Sequence, residues 1–276
     1  MIDLHLHTTA SDGYLSPAQL VARAKAAGLT TISITDHDTV AAIAEVTDLA
    51  HAAGVRVIPG IEITAVDDGR DVHMLGYFFD PGSGTLATLL ERQRALRVAR
   101  VREIGERLAV LNMPVDVESV LLAAAARPGS SVGRPLIARE LMRAGYVASV
   151  QQAFDLWLAT GRPAFVPRTG PSPASVVGAI HEAGGIASMA HPGVTKRDDL
   201  IGPLVDNGMD AIEVYHSDHT PEAEQTYKTI AKRHGLPVSG GSDFHGDELR
   251  RNTLGVVLLP QPDFDALVQA HDRRSS

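Results

Sequence analysis

The 276-residue chain contains no cysteine. A disulfide framework and a thiolate metal site are both excluded, so any bound metal must be held by His, Asp and Glu. No apolar run approaches the roughly 18 residues that a membrane helix needs. The opening Met1-Ile2-Asp3-Leu4-His5-Leu6-His7 lacks a basic region followed by an apolar stretch, so no secretory signal is read there. Positive charge is also in deficit. With 25 Lys and Arg against 33 Asp and Glu, the net charge is −8, and an acidic chain is a poor general binder of nucleic acid or anionic membrane. These absences lead us to expect a cytoplasmic protein with no membrane partner and no obligate protein partner.

What remains is ordinary for a globular protein, with 44% hydrophobic and 21% charged residues. Such a chain can bury a sizeable core as one large domain or two modest ones. Charge is unevenly spread. Residues 91–168 hold twelve Arg, no Lys and seven acids, a net of +5, which leaves the rest at −13.

Short apolar runs alternate with helical patterns. Strands are expected at residues 1–6, 30–35, 55–61, 72–79, 186–190, 211–215 and 237–239, with a last one at 254–259. Helices are expected at 17–27, 39–53, 174–183, 199–207, 221–234 and 263–272. The first of these helices follows Ser16 and begins with Pro17, a capping residue and then a proline pre-set for the helix. This alternation indicates an α/β fold with a parallel sheet, either a closed barrel or a doubly wound sheet. Residues 84–160 break the rhythm, with helical patterns at 86–111, 117–127, 135–144 and 149–159 and no clear strand between them. They read as a helical insertion. The Gly- and Pro-rich stretch 161–173 would be the return linker.

The strands carry a pattern of metal-ligating residues. Strand one ends in His5-Leu6-His7, with Asp12 in the next turn, and strand two in Asp36-His37-Asp38. Strand three ends at Glu62 and strand four carries His73. Strand five ends at His191, strand six at His216 with Asp218 and His219 nearby, and strand seven runs into Asp243-Phe244-His245. Strand C-termini of a parallel α/β fold share one face, so residues scattered from 5 to 245 would converge there. His5 and His7, at i and i+2 on a strand, point the same way. So many ligand-type residues exceed what one ion uses and suggest two or three ions bridged by a carboxylate, an arrangement suited to hydrolysis. His51, His181 and His234 lie instead in the last turns of helices, where an imidazole pairs with free carbonyls; they and His271 read as structural.

These residues resemble the motifs of the PHP (polymerase and histidinol phosphatase) superfamily. His5-Leu6-His7-Thr8-Thr9-Ala10-Ser11-Asp12-Gly13 is similar to its first motif and Thr35-Asp36-His37-Asp38-Thr39 to its second. Met189-Ala190-His191-Pro192 is similar to the third and Gly241-Ser242-Asp243-Phe244-His245 to the fourth. The resemblance implies a distorted (β/α)7 TIM-like barrel, spanning 1–83 and 161–276, around the helical insertion at 84–160. It implies two or three divalent ions, Mn with Fe or Zn as alternatives. His5, His7, Glu62 and Asp243 would hold one ion, Glu62, His73 and His191 a second, and Asp12, His37 and His245 a third.

Within the superfamily, the first motif and the insertion resemble bacterial phosphoesterases that remove the 3′-phosphate of nucleoside 3′,5′-bisphosphates, some of which are 5′-to-3′ exonucleases on short RNA. A phosphorylated nucleotide, or short single-stranded RNA, is the substrate this implies. The alternatives are a histidinol phosphatase or other small-molecule phosphatase, and a non-catalytic metal-binding module. Ser130-Ser131-Val132-Gly133-Arg134-Pro135 and Gly161-Arg162-Pro163 are similar to insertion motifs of the same branch. Arg is the preferred phosphate ligand because its planar fork binds two oxygens. Ser130, Arg134, Arg162 and His216 are therefore the candidate substrate contacts, with Arg168 and Lys196 as further candidates. Asp36 and His216 are the candidates for protonating the leaving oxygen, unless Asp36 orients a ligand instead. The arginines from 92 to 107 read either as a solvated helix face with i,i+4 pairs or as a basic cap over an acidic site.

Overall fold

The computed structural model describes residues 1–126, 131–246 and 253–275. Seven strands lie in chain order in one sheet: β1 (Ile2–Leu6), β2 (Thr31–Ile34), β3 (Arg56–Asp67), β4 (Arg70–Tyr77), β5 (Ile186–Met189), β6 (Ala211–His216) and β7 (Val238–Gly241). The sheet closes on itself. Beyond β7, Phe244 bridges Leu6 in parallel, with His7 N–H donating to Phe244 O at 3.0 Å and Phe244 N–H to His5 O at 3.3 Å. The result is the distorted barrel with surrounding helices.

Helices α1 (Pro17–Ala26), α2 (Ile43–Ala53), α7 (Pro173–Glu182), α9 (Ile201–Asp206), α10 (Pro221–His234) and α11 (Gln261–Ser275) surround it. Their ends follow local chemistry. Ser16 and Gln19 form a reciprocal capping box on α1, and α10 runs from the Thr220 cap to Gly235 in the left-handed conformation. The sheet's apolar faces are covered in patches, Leu20, Val21 and Val46 against Ile32 and Ile34 on one flank and Val176, Ile180 and Leu204 against Ile63, Met74 and Ile212 on another.

The sheet is not all parallel. β4 runs antiparallel to both β3 and β5. The cause is the Asp68-Gly69 pair, whose φ values of 48° and 70° make the tight left-handed turn of a two-residue hairpin. That turn carries β3 on to twelve residues, so Glu62 lies within a strand rather than at its end. Because β4 is reversed, His73 near its start still reaches the same end of the barrel as the parallel strands' C-termini. The expected strand at 254–259 is a turn instead, with Gly255 at φ +80°. Phe244 already occupies the upper edge of β1. Leu254 and Leu259 bury against the barrel as plugs, and Leu259 N–H donates to Ile2 O at 2.9 Å.

The helices α3 (Gly84–Val110), α4 (Val117–Ala125), α5 (Arg134–Arg143) and α6 (Val150–Ala153, continued by a π-helical turn at Phe154–Leu158) form the insertion. Leu86 and Leu90 at the start of α3 pack into the barrel core. From Val101 onward the segment builds its own core with Ile104, Leu108, Ile137 and Leu141, which also takes in Ala164 and Val166. One long helix thus belongs to both bodies and ties them together.

Closure leaves no room for a side chain where β7 meets β1. A Cβ on Gly241 would stand 2.3 Å from His5 N and 2.5 Å from His5 Cβ. Gly241→Ala should therefore cost about 2 kcal/mol or more and lower Tm by at least about 4 °C in thermal denaturation followed by circular dichroism. A Tm within a degree of the unsubstituted protein would show that the closure tolerates displacement.

Candidate metal centre

One end of the barrel holds a cavity of about 740 Å³ lined by Asp12, His37, Glu62, His73, His191, His216, Asp243 and His245, with Val194, Ser217, Asp218, Val256 and Val257. His5 and His7, both fully buried, stand against Glu62 and Asp243 of this lining. The imidazoles pack ring on ring, His7 with His245 at 4.2 Å between centroids, His7 with His37 at 4.9 Å, and His73 with His191 at 5.3 Å. Glu62 is the hub. One of its oxygens lies 3.4 Å from His5 Nε2, 3.4 Å from His7 Nε2 and 3.1 Å from His37 Nδ1. The other lies 2.7 Å from His73 Nδ1 and 3.0 Å from His191 Nε2.

Three groupings bring ligand atoms close enough to share an ion: His5, His7, Glu62 and Asp243; His7, Asp12, His37 and His245; and His37, Glu62 and His73. His191 adjoins the third through Glu62. Nδ1 of His7 and Nδ1 of His191 are buried without a hydrogen-bond partner. Buried polar atoms are rarely left so, and a set of imidazoles and carboxylates with free lone pairs suits a divalent cation. The carboxylates are primed for it. Burial acts to raise the Glu62 carboxyl, but His37, His73 and His5 outweigh it and hold it well below its ordinary value. Asp12 and Asp243 are held low in the same way, against burial, by the surrounding imidazoles, His245 foremost.

A fourth grouping, His5, Glu213 and His216, is of another kind. His5 Nδ1 lies 2.8 Å from Glu213 Oε1. A proton on Nδ1 donated to the carboxylate leaves the Nε2 lone pair free toward the centre, the usual support for a metal-bound histidine. The other Glu213 oxygen accepts His191 N–H at 2.8 Å. This fixes His191 in a strained backbone conformation, φ 26°. His216 Nδ1 accepts Asp218 N–H at 3.1 Å, so its neutral ring carries the proton on Nε2, which faces Asp243 at 3.4 Å. His219 is structural: Nδ1 donates to Val214 O at 2.7 Å and Nε2 accepts Gly193 N–H at 3.2 Å, anchoring the turn after His191.

Of the other sequence candidates, Asp36 is buried away from the cavity lining. It accepts Thr8 N–H, Thr8 Oγ1–H and Ser11 Oγ–H at 2.6–2.7 Å, and so holds the loop that carries Asp12. Arg162 is exposed in the turn after α6 and does not line the cavity, and Lys196 is likewise exposed. Ser130 lies outside the described residues. Arg134 does approach the centre. Its Nη2 lies 3.5 Å from Asp71, two residues before His73, and its guanidinium sits over the rings of Phe154 and Phe165. Arg168 joins it, with Nε 3.5 Å from Asp71. Arg168 Nε and Nη1 have no hydrogen-bond partner, and burial brings its pKa down to about 9. The arginine helix splits. Arg102 and Arg107 pair on its outer side with Glu118 and Glu103. Arg97 and Arg100 are buried, Arg97 against Asp38 at 2.5 Å.

Glu213 and Asp3 escaped the sequence reading, and the pairing of Asp38 with Arg97 was not anticipated. Two carry a visible signal, an acid inside an otherwise apolar short strand: Glu213 in Ala211–His216 and Asp3 in Ile2–Leu6. Asp3 accepts Ser242 N–H at 2.9 Å and Ser242 Oγ–H at 2.7 Å, and burial pushes it up to about 6. Glu213→Gln can accept from His5 but then meets His191 N–H with its amide donors. It should weaken metal binding by about tenfold to a hundredfold, measured by chelator competition and metal content. Unchanged affinity would reduce Glu213 to a packing role.

The chain matches the PHP domain model over residues 3–128. It is 37% identical over 251 residues to a 5′-3′ exoribonuclease of Haemophilus influenzae, covering 88% of this chain and 89% of that protein. To a 3′,5′-nucleoside bisphosphate phosphatase of Chromobacterium violaceum it is 32% identical over 252 residues, covering 88% and 87%. Among solved structures, an amidohydrolase from Chromobacterium violaceum with bound sulfate superposes with a TM-score of 0.86 at 30% identity, covering 99% of this chain and 96% of that one. The barrel, its convergent His, Asp and Glu residues and these relatives agree: the chain belongs to the PHP family of metal-dependent phosphoester hydrolases.

Proposed function

We propose that the chain hydrolyses the 3′-phosphate of nucleoside 3′,5′-bisphosphates, converting adenosine 3′,5′-bisphosphate to AMP, and acts by the same chemistry on short 5′-phosphorylated RNA. The observation that carries this reading is the pairing of two sites across Asp71. On one side stands the metal cavity with His73; on the other stand Arg134, 3.5 Å from Asp71, and Arg168, whose buried Nε and Nη1 lie 3.5 Å from Asp71 and 3.7 Å from Asp38 without a hydrogen bond. A substrate with two phosphates fits that pairing. The exoribonuclease and bisphosphate phosphatase relatives support it, as does the sulfate in the related amidohydrolase structure.

His5, His7, Asp12, His37, Glu62, His73, His191, Asp243 and His245 would hold two or three divalent ions. Manganese is our first choice, with iron or zinc as alternatives, because the set mixes imidazole with carboxylate and has no thiolate. Bound there, such ions supply a hydroxide at neutral pH and neutralise charge on the phosphoryl group. Residues of the chain do the rest. Arg134 and Arg168 hold the second phosphate, and Phe154 and Phe165 keep the Arg134 fork in place. His216, with its Nε2 proton facing the cavity, protonates the departing O3′. Asp36 keeps the Asp12 loop in register, so the acid role falls to His216. The insertion at 84–160 serves as a substrate cap on the barrel at 1–83 and 161–276, and we place the enzyme in the cytoplasm.

The deciding experiment is phosphate release from adenosine 3′,5′-bisphosphate with added Mn²⁺. Formation of 5′-AMP supports the reading; a metal-loaded protein that releases nothing refutes it. Arg134→Ala should raise KM at least tenfold with metal content intact. If KM is unchanged, the second phosphate is held elsewhere. His37→Ala should lose bound metal and turnover together, and full activity in that variant would remove His37 from the centre.

A further inference from the structure

The loop that carries Asp12 is held from two bodies of the protein. Asp12 is the one carboxylate in the grouping with His7, His37 and His245. Its oxygens lie 3.3 Å from His245 Nε2 and 3.8 Å from His37 Nε2. The barrel holds the start of the loop through Asp36, which accepts from Thr8 and Ser11. It holds the end through Tyr14 N–H, which donates to His245 O at 2.7 Å. The main chain of Asp12 itself is held from the insertion. Arg139, in α5, donates from Nη2 to Asp12 O at 2.7 Å, and its guanidinium lies 4.1 Å from the centre of the Tyr14 ring. A second tie stands just before α5, where Ser131 N–H donates to Ala10 O at 2.9 Å. The helix behind these contacts is firmly seated, with Ile137, Ala138 and Leu141 fully buried in the insertion core.

We propose that Arg139, braced by Tyr14, is a positioning residue for Asp12 and sets the affinity of the cation site formed by His7, Asp12, His37 and His245. The inference rests on the metal centre described above and is independent of the substrate. A carboxylate that has to meet three imidazoles and a cation must be placed to within about 0.5 Å. A loop left to itself loses conformational freedom when the ion binds, and that loss weakens binding. Arg139 removes the freedom beforehand. It takes the Asp12 carbonyl rather than the carboxylate, so both side-chain oxygens stay available to an ion. The Tyr14 ring steers the planar fork that makes this bond. The Arg139 charge works the other way, since a cation near a cation site repels the ion; the proposal is that anchoring outweighs repulsion. The same helix begins at Arg134, against Asp71 on the His73 side. Helix α5 therefore reaches both edges of the centre, and the insertion is part of the metal site's framework as well as its cover.

The test titrates metal-free protein with Mn²⁺, by calorimetry and by competition with a fluorescent chelator. Asp12→Asn identifies the ion concerned as the one it weakens most. Arg139→Met should weaken that same ion about tenfold and leave the others within twofold. In the Asp12→Asn background, Arg139→Met should change the remaining ions by less than twofold. Tyr14→Leu, at a position 41% exposed, should weaken the same ion about threefold, and it carries the test alone if circular dichroism shows Arg139→Met unfolded. Unchanged affinity overturns the proposal, and a rise in affinity overturns it by showing that repulsion dominates. Equal weakening of every ion, or the same loss with and without Asp12, also overturns it, because Arg139 then acts through general packing. Wild-type protein that takes up fewer than two ions of Mn²⁺, Fe²⁺ or Zn²⁺ defeats the metal centre itself, and the proposal with it.

Discussion

A carboxylate buried to 1% exposure at the centre of a barrel is costly unless it is paired. Glu62 is paired with five imidazoles, all within 3.4 Å. No two neighbouring elements could supply that shell. His5 comes from β1 and His7 from just past it, His37 from beyond the end of β2, His73 from the reversed strand β4 and His191 from beyond the end of β5. The barrel has to close, and the β3–β4 hairpin has to overshoot, before the charge is compensated. The same convergence that settles Glu62 creates the cation site. The most expensive group in the fold is therefore also the one on which its chemistry turns.

Around that hub, further buried acids steady the segments that carry it. Glu213 spans His5 and the His191 backbone, joining two parts of the centre with one carboxylate. Asp3 holds Ser242 beside Asp243, and Asp36 holds the Thr8–Ser11 turn before Asp12. Asp38, with φ at 52°, receives Arg97 from the insertion. That last contact locks the long helix α3 onto the barrel rim, and with it Arg134 and the Arg168 strap beside His73. Positive charge that looks diffuse along residues 91–168 is in fact sorted by burial. Some arginines are spent on surface pairs of little energetic weight, one ties α3 to Asp38, and Arg134 and Arg168 stand against Asp71.

Much of this was legible beforehand. Strand-end histidines and acids, the i and i+2 spacing of His5 and His7, and the loss of strand rhythm after residue 84 are one-dimensional signals, because they follow from the periodicity of strands and helices. The helix start at Ser16-Pro17 was equally plain, since caps are chosen by local backbone geometry. The Asp68-Gly69 turn was also present in the sequence, but its consequence, a reversed β4, depends on which strand the hairpin then joins. The apolar 254–259 stretch looked like a strand, yet the edge it would have paired with was already taken by Phe244.

By itself, then, the sequence determined the barrel class and set out the candidate ligands, because those depend on residue type and spacing along the chain. Only the tertiary structure decided which of those side chains share a centre and which donors remain unpaired. Arg97 and Arg168 illustrate the difference: both stand against Asp38, but Arg97 hydrogen-bonds it at 2.5 Å while Arg168 lies 3.7 Å away with no hydrogen bond from its Nε or Nη1. Glu213 likewise became meaningful only when β6 set it between His5 and His191. Pairing, burial and the direction of a lone pair are relations between distant residues, and they exist only once the chain has closed on itself.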